Sequence, residues 1–465
     1  SVGIYATNSA SNDYKAINIE NNGEITLGDG SAGIYVAPDS LTKDTTISTV
    51  TNTGNITVGD SILNSVTGKA ESTSVGIFVK HKTILNTTGD VTIGSKGFAL
   101  YGNDSTLNVN GGDYDFSNNG SLAYLENGAT LNYNKTGTLT TSSEPMLFIV
   151  DSEAKMNKND IIVSTKGTGI YMTGTSKFSG WNNITLNNGS TGIYADDSDA
   201  TVTGKKIIGT SDKAKGIVAR NSSVTNNANM EFNSDDSIGI FSQNKSTAAK
   251  KIVNNGNIDI TGKRSIAAYL EGTMDQTFEN MGIINVDKTT TSVKNDSTVG
   301  IYAQNGSRIN VKNSGTINVG EASFGIYSLS ENGNVETTGS SVINVEDKAI
   351  GIYKKGGTAN VGGKINVADH VATDLNSEPV GIYGSSGVTI SDTTSNFNVG
   401  DKSYGVILAN PGLNRTNVYS NSASSNVALG KESTFIYTEG KAKVTNRAAI
   451  TSGTNNGIIA IYGKD

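Results

Sequence analysis

Apolar positions along this chain come in short runs at two-residue intervals, as in "GEITLGD" (23–29), "GNITVGD" (54–60), "GDVTIGS" (89–95), "GTINVGE" (315–321) and "GKINVAD" (363–369). Ile or Val alternates with Thr or Asn, the pattern of a half-buried strand, and β-branched residues suit it. The three- and four-residue interval of a helix face is nowhere sustained. A second run ends in "GIY": "SVGIYA" (1–6), "SAGIYV" (31–36), "STGIYA" (190–195), "TVGIYA" (298–303), "SFGIYS" (323–328), "AIGIYK" (349–354) and "PVGIYG" (379–384). A third, less regular run lies between them ("AINIEN", 16–21; "KIVNNG", 251–256; "RINVKN", 308–313) and closes in Asn, Thr and Gly, residues that suit turns.

Aligned on the glycine of GIY or its replacement, the anchors fall at Gly3, Gly33, Gly76, Gly97, Leu122, Leu147, Gly169, Gly192, Gly216, Gly239, Ala267, Gly300, Gly325, Gly351, Gly381, Gly405, Phe435 and Ala460. Many spacings lie between 23 and 26 residues, as between Gly169 and Gly192 or Gly325 and Gly351. Three short strands in so few residues are too little for a propeller blade and fit one coil of a solenoid. The expected fold is all-β: a right-handed, single-stranded parallel β-helix of about 18 coils, one continuous segment over 1–465. At about 4.8 Å per coil that predicts a rod of roughly 85–90 Å.

Adjacent strand residues point to opposite faces. Ile is expected inward, because the residue two before it is often apolar (Val2, Val75, Ile238, Val299, Ile350), which leaves Tyr outward. The ladder then pairs Ile34, Ile193, Ile301, Ile326, Ile352 and Ile382 inside with Tyr35, Tyr194, Tyr302, Tyr327, Tyr353 and Tyr383 outside. The Asn-rich turns "IENNG", "IVNNG" and "ITLNNG" predict stacked amides hydrogen-bonded from coil to coil. Three coils carry longer inserts, at 61–73, 287–298 and 369–379, all between the alternating strand and the next GIY, so they should emerge along one edge, a common binding side of repeat proteins. Smaller inserts at 7–16 and 37–49 fill the other slot.

Composition narrows the function classes. Of 465 residues, 55 are Gly, 4 are Pro and none is Cys, which excludes disulfides, thiolate metal sites and a cysteine nucleophile. With 36 basic and 43 acidic residues, the formal charge of −7 argues against a nucleic-acid partner. No apolar run of about 18 residues offers a membrane span. The N-terminal "SVGIYATNSA" starts within a repeat and lacks the pattern of a signal peptide, so the chain reads as a segment excised from a longer one.

Candidate chemistry is thin. His81 and His370 are the only histidines and fall about 12 coils apart, which argues against a Ser-His-Asp triad. Asp196, Asp197 and Asp199 in "ADDSDA" are a solvated turn on the plain reading, and a loose calcium site or a catalytic carboxylate cluster on the sharper one. Trp181 is the single tryptophan, either packed beside Phe178 or offered to a sugar ring. The lysine pairs Lys205–Lys206, Lys250–Lys251 and Lys354–Lys355 read as solvated edges. No cofactor site is read from these residues.

The unit "NxGxIxVGxxSxGIYA", as in "NNGEITLGDGSAGIYV" (21–36) and "NSGTINVGEASFGIYS" (313–328), resembles the passenger regions of the large fusobacterial type V (RadD-like) autotransporter adhesins, and the pattern covers essentially the whole chain. The resemblance implies a cell-surface passenger exported through an outer-membrane barrel, binding a protein or glycan receptor on host cells or other bacteria without a cofactor. It carries no binding residue onto a position here. The expected function is therefore a β-helical stalk that presents loops for attachment. The alternatives are a β-helical polysaccharide lyase or hydrolase, and a pure spacer.

Overall fold

A computed structural model describes residues 1–8, 16–38, 47–287, 297–306, 308–371, 377–410, 414–454 and 456–464. The chain divides into two compact units, Ser1–Ile208 and Gly209–Asp465. Each is a parallel β-solenoid without helix among the described residues. A representative coil of the second unit is Val299–Ala303, Ile309–Asn313 and Thr316–Val319. Each of the three strands pairs in parallel with its counterpart one coil on: Phe324–Ser328, Asn334–Thr337 and Val342–Val345. In-register stacking places Ile301 on Ile326, Val311 on Val335 and Ile317 on Ile343, all at most 1% exposed, so each coil buries its aliphatic row under the next.

Within each unit the expected anchors stand in register, except for two in the first, Gly97 and Leu147. Leu100 pairs with Ile77, so Ala99, not Gly97, occupies the anchor position. Leu147 pairs with Ile170 and so takes the isoleucine position, which leaves Met146 as the anchor. The glycine at this position is a matter of close approach. A Cβ at Gly33 would lie 2.5 Å from the Gly76 carbonyl oxygen. The alanine at 267 shows that a methyl group can be housed there, fully buried.

Ile34 is fully buried and Tyr35 half-buried, so Ile does face inward and Tyr outward. The reason differs from the one expected. In Ala32–Val36 both Gly33 and Ile34 are buried, which breaks the alternation at the glycine. The residue two before Ile therefore shares the outer face with Tyr: Val2 is 44% exposed, and Ile238, Val299 and Ile350 are half-exposed, with only Val75 buried. Its inner-face companion is the residue two after, such as Val36, Val79, Met172 or Ala303, all fully buried.

Side chains at the corners carry the rest of the register. In the second unit the fully buried asparagines 226, 254, 280 and 313 form a ladder. Asn226 Nδ2 donates to Asn254 Oδ1 (2.8 Å), Asn254 to Asn280 (2.9 Å) and Asn280 to Asn313 (2.9 Å). Each Nδ2 also donates to the carbonyl two residues on, as Asn280 does to Gly282 (3.0 Å). The first unit repeats the device with Asn21, Asn52 and Thr87. Of the three predicted Asn turns, "IENNG" and "IVNNG" thus supply ladder amides. In "ITLNNG" the main chain of Asn187 makes the bonds: its N–H donates to the Val163 carbonyl, and its carbonyl accepts from the Ser190 N–H and Oγ. The aspartates of "LGD" (27–29) and "VGD" (58–60) clamp neighbouring coils too: Asp60 N–H donates to Asp29 Oδ1 (2.9 Å), and Ser95 N–H to Asp60 Oδ1 (2.7 Å). They are structural bonds, which explains the motif without chemistry.

The corner before the GIY strand holds a left-handed residue in coil after coil: Gly30 at φ 61°, Gly189 at 67°, Ala322 at 59°, Lys348 at 60°. Alanine carries a steric cost there that glycine does not. Ala322→Gly is expected to raise stability by about 0.5–1 kcal/mol in urea unfolding, the steric relief being partly offset by unfolded-chain entropy.

Candidate interaction surface

The outer row of the GIY strands is a ladder of stacked rings. In the first unit it runs Tyr5, Tyr35, Phe78, Tyr101, Tyr124, Phe148, Tyr171 and Tyr194, with centroids 4.5–5.9 Å apart. In the second it runs Phe241, Tyr269, Tyr302, Tyr327, Tyr353 and Tyr383, at 4.6–5.7 Å. The residue two before Ile reaches the same face: Phe98 packs edge-on to Tyr124 at 5.3 Å, and Phe324 to Tyr327 at 4.9 Å. Most pairs are near-parallel, with Phe78–Tyr101 and Phe148–Tyr171 tilted at 33° and 46°, so solvent meets mainly ring edges and hydroxyls. Burial, with Glu271 beside it, pushes the Tyr269 hydroxyl up to about 12. Tyr101 is pushed up by burial and by donating to Glu126 (2.9 Å). These phenols stay protonated donors at neutral pH. Tyr327→Ala, which opens a gap between Tyr302 and Tyr353, should cost about 2 kcal/mol in denaturant unfolding while leaving the strand signal in circular dichroism intact.

The insert at 61–73 is an antiparallel hairpin, Ile62–Leu63 against Ala70–Ser72. Asn64 builds its turn: Oδ1 accepts from the Val66 and Thr67 N–H groups (3.0 and 2.8 Å), and Nδ2 donates to Glu71 (2.7 Å). The base is pinned to the coil. Ser72 Oγ donates to the Gly30 carbonyl (2.9 Å), Ser74 N–H donates to Ser61 Oγ (2.9 Å), and Ile62 rests on Gly30 so closely that a Cβ there would meet Ile62 Cδ1 at 2.7 Å. Val66 at the tip is 91% exposed, with Ile62 and Leu63 partly exposed below it. Of the inserts at 287–298 and 369–379, residues 288–296 and 372–376 lie outside the described residues, as do 9–15 and 39–46 of the smaller ones.

The singled-out residues take structural places. Trp181 is 2% exposed and stacks on Phe178 at 6.0 Å, and Gly204 lies over its ring, where a Cβ would approach to 2.0 Å. It offers no face to a sugar. Asp197 is a left-handed corner at φ 46°, as are Asp151 (47°) and Gly174 (63°). Asp196 faces Tyr171, whose hydroxyl donates to it at 3.4 Å, and Asp199 is exposed on the strand beyond. Among the described residues no three His, Cys, Asp or Glu side chains gather to hold a metal ion. His81 lies 3.8 Å from Asp104 at a corner, while His370 is buried with Nδ1 2.7 Å from Asp347. Lys354 is the lysine whose place departs most from a solvated edge: it is fully buried on the inner face, and Nζ donates to the Ser330 carbonyl at 2.6 Å. Searches of protein-family models, curated proteins and solved structures found no match to this chain.

Proposed function

We propose that this chain is a β-helical segment of a bacterial surface adhesin passenger, a stalk that presents loops for attachment to host cells or other bacteria. The supporting observation is the hairpin at 61–73, an ordered, pinned projection with an almost fully exposed valine on a scaffold whose buried corner asparagines are consumed in coil-to-coil bonds. Its receptor is a surface protein or glycan, and no cofactor, nucleic acid or membrane insertion enters the reading. The carboxylates at 196–199, which a lyase or hydrolase would need, are a corner and its flanks.

The test is a cell-binding assay with the purified chain, comparing the intact hairpin with one trimmed to the short-coil length. Trimming should abolish most of the binding while thermal stability changes little. Equal binding by both forms contradicts the attachment role of this projection.

A further inference from the structure

The outward row of the alternating strands in the second unit is a second amide ladder, distinct from the buried one. Glu231, Asp259, Asn285, Asn318 and Asn344 stand in register on five consecutive strands. Asn285 Nδ2 donates to Asp259 Oδ1 (2.5 Å), Asn318 to Asn285 (2.6 Å) and Asn344 to Asn318 (2.7 Å). The ladder continues through Asn366 and Asn398 at 2.8 Å each. Its first five positions line an open groove of about 550 Å³, within the size range of ligand sites. Gly320, without a side chain, widens it on the far side, between Asp287 and Glu346.

Each ladder amide spends one N–H and one oxygen lone pair on its neighbours. A primary amide has two of each, so Asn285, Asn318 and Asn344 each keep a donor and an acceptor for a ligand, while the carboxylate rungs Glu231 and Asp259 carry no donor. The half-buried rungs repeat at about 4.8 Å, and five of them span about 19 Å. A ligand that satisfies such a comb is itself a linear repeat with a hydroxyl donor and acceptor on each unit. An extended β-linked pyranose chain meets that description, and carboxylates along the groove accept bonds from its diols. Four lining residues are acidic and none is basic, which disfavours anionic polymers.

We propose that this groove binds an extended, uncharged β-linked glycan. The site is separate from the hairpin, so it stands or falls independently of hairpin-mediated attachment. The test is calorimetric titration of the whole chain with cellohexaose, cellobiose, polygalacturonate and oligolysine. Saturable binding of the hexaose, about tenfold or more tighter than the biose, with none of polygalacturonate, is expected. Asn318→Ala should weaken hexaose binding about tenfold. Asn366→Ala removes an equivalent rung of the same ladder outside the groove and should leave affinity within about twofold, which separates ligand contact from ladder integrity. No saturable hexaose binding, equal affinity for polygalacturonate, preference for oligolysine, or equal losses in the two variants would each overturn the proposal.

Discussion

Asn280→Leu is expected to destabilise the second unit by about 4 kcal/mol in denaturant unfolding. The side chain is fully buried and makes three ladder bonds: it accepts from Asn254 and donates to Asn313 and to the Gly282 carbonyl. Leucine fills the volume but satisfies none of them. It strands a donor on Asn254 and an acceptor on Asn313, each at about 1–3 kcal/mol when buried, and leaves the Gly282 carbonyl only the Thr316 N–H (3.2 Å). The turn beneath cannot relax to let water in, because a Cβ at Gly282 would already lie 2.1 Å from the Gly256 carbonyl. Asn280→Thr should cost only about 1–2 kcal/mol. Threonine already stands at this position in other coils, where Thr337 Oγ1 donates to the Gly362 carbonyl at 2.8 Å and accepts from its N–H at 2.9 Å. Hydrogen exchange should place the lost protection in the coils around residues 254–315 and not uniformly, since a solenoid's stability is a sum of local terms.

Lys354 gives the second large effect, and its sign is distinctive. Burial lowers its pKa from 10.5 to about 8, only partly opposed by Glu331. A depressed lysine means that the unfolded chain binds the proton more tightly, so this group's contribution to stability rises with pH between about 8 and 10.5. At pH 7 the fold holds a buried ammonium at a cost of about 3 kcal/mol relative to water, met by two carbonyls, Ser330 at 2.6 Å and Lys355 at 3.3 Å. Lys354→Met removes that cost and leaves the Ser330 carbonyl its bond from the Gly333 N–H (3.2 Å). The variant should be more stable than the parent by about 1–2 kcal/mol at pH 7. Because the parent gains about 2 kcal/mol between pH 8 and 9.5, the difference should vanish at the upper end of that window. Comparing parent and variant at each pH cancels the tyrosines, whose raised pKa values act in the opposite direction above pH 10. A gap that does not change with pH would mean that Lys354 is solvated.

The repeat was legible because its causes are local. Strand alternation and the glycine before Ile recur in nearly every coil, and they predict a parallel stack of three short strands. Register failed where the local cue misled: Gly97 imitates an anchor two residues ahead of Ala99, and Met146-Leu147 offers two apolar candidates for one position. The facing of Ile and Tyr was legible, but the break in alternation at Gly33 was not, since it arises from the carbonyl of the next coil. Long-range neighbours also decide Trp181, covered by Gly204, and Lys354, whose "KK" doublet reads as surface. The groove asparagines at 285, 318 and 344 carried a signal, the repeated "INV", but only the stacked coils show that their amides line one depression.

The GIY strand is a structural rung with Ile inside and the aromatic ring outside. Because the chain has no cysteine, single cysteines report on this directly. Native-state thiol labelling of Ile352→Cys and Tyr353→Cys, neighbours in one strand, compares the two faces. Rapid modification at 353 and protection at 352, lost on unfolding, is the predicted result. Equal labelling at both positions, or faster labelling at 352, would contradict it.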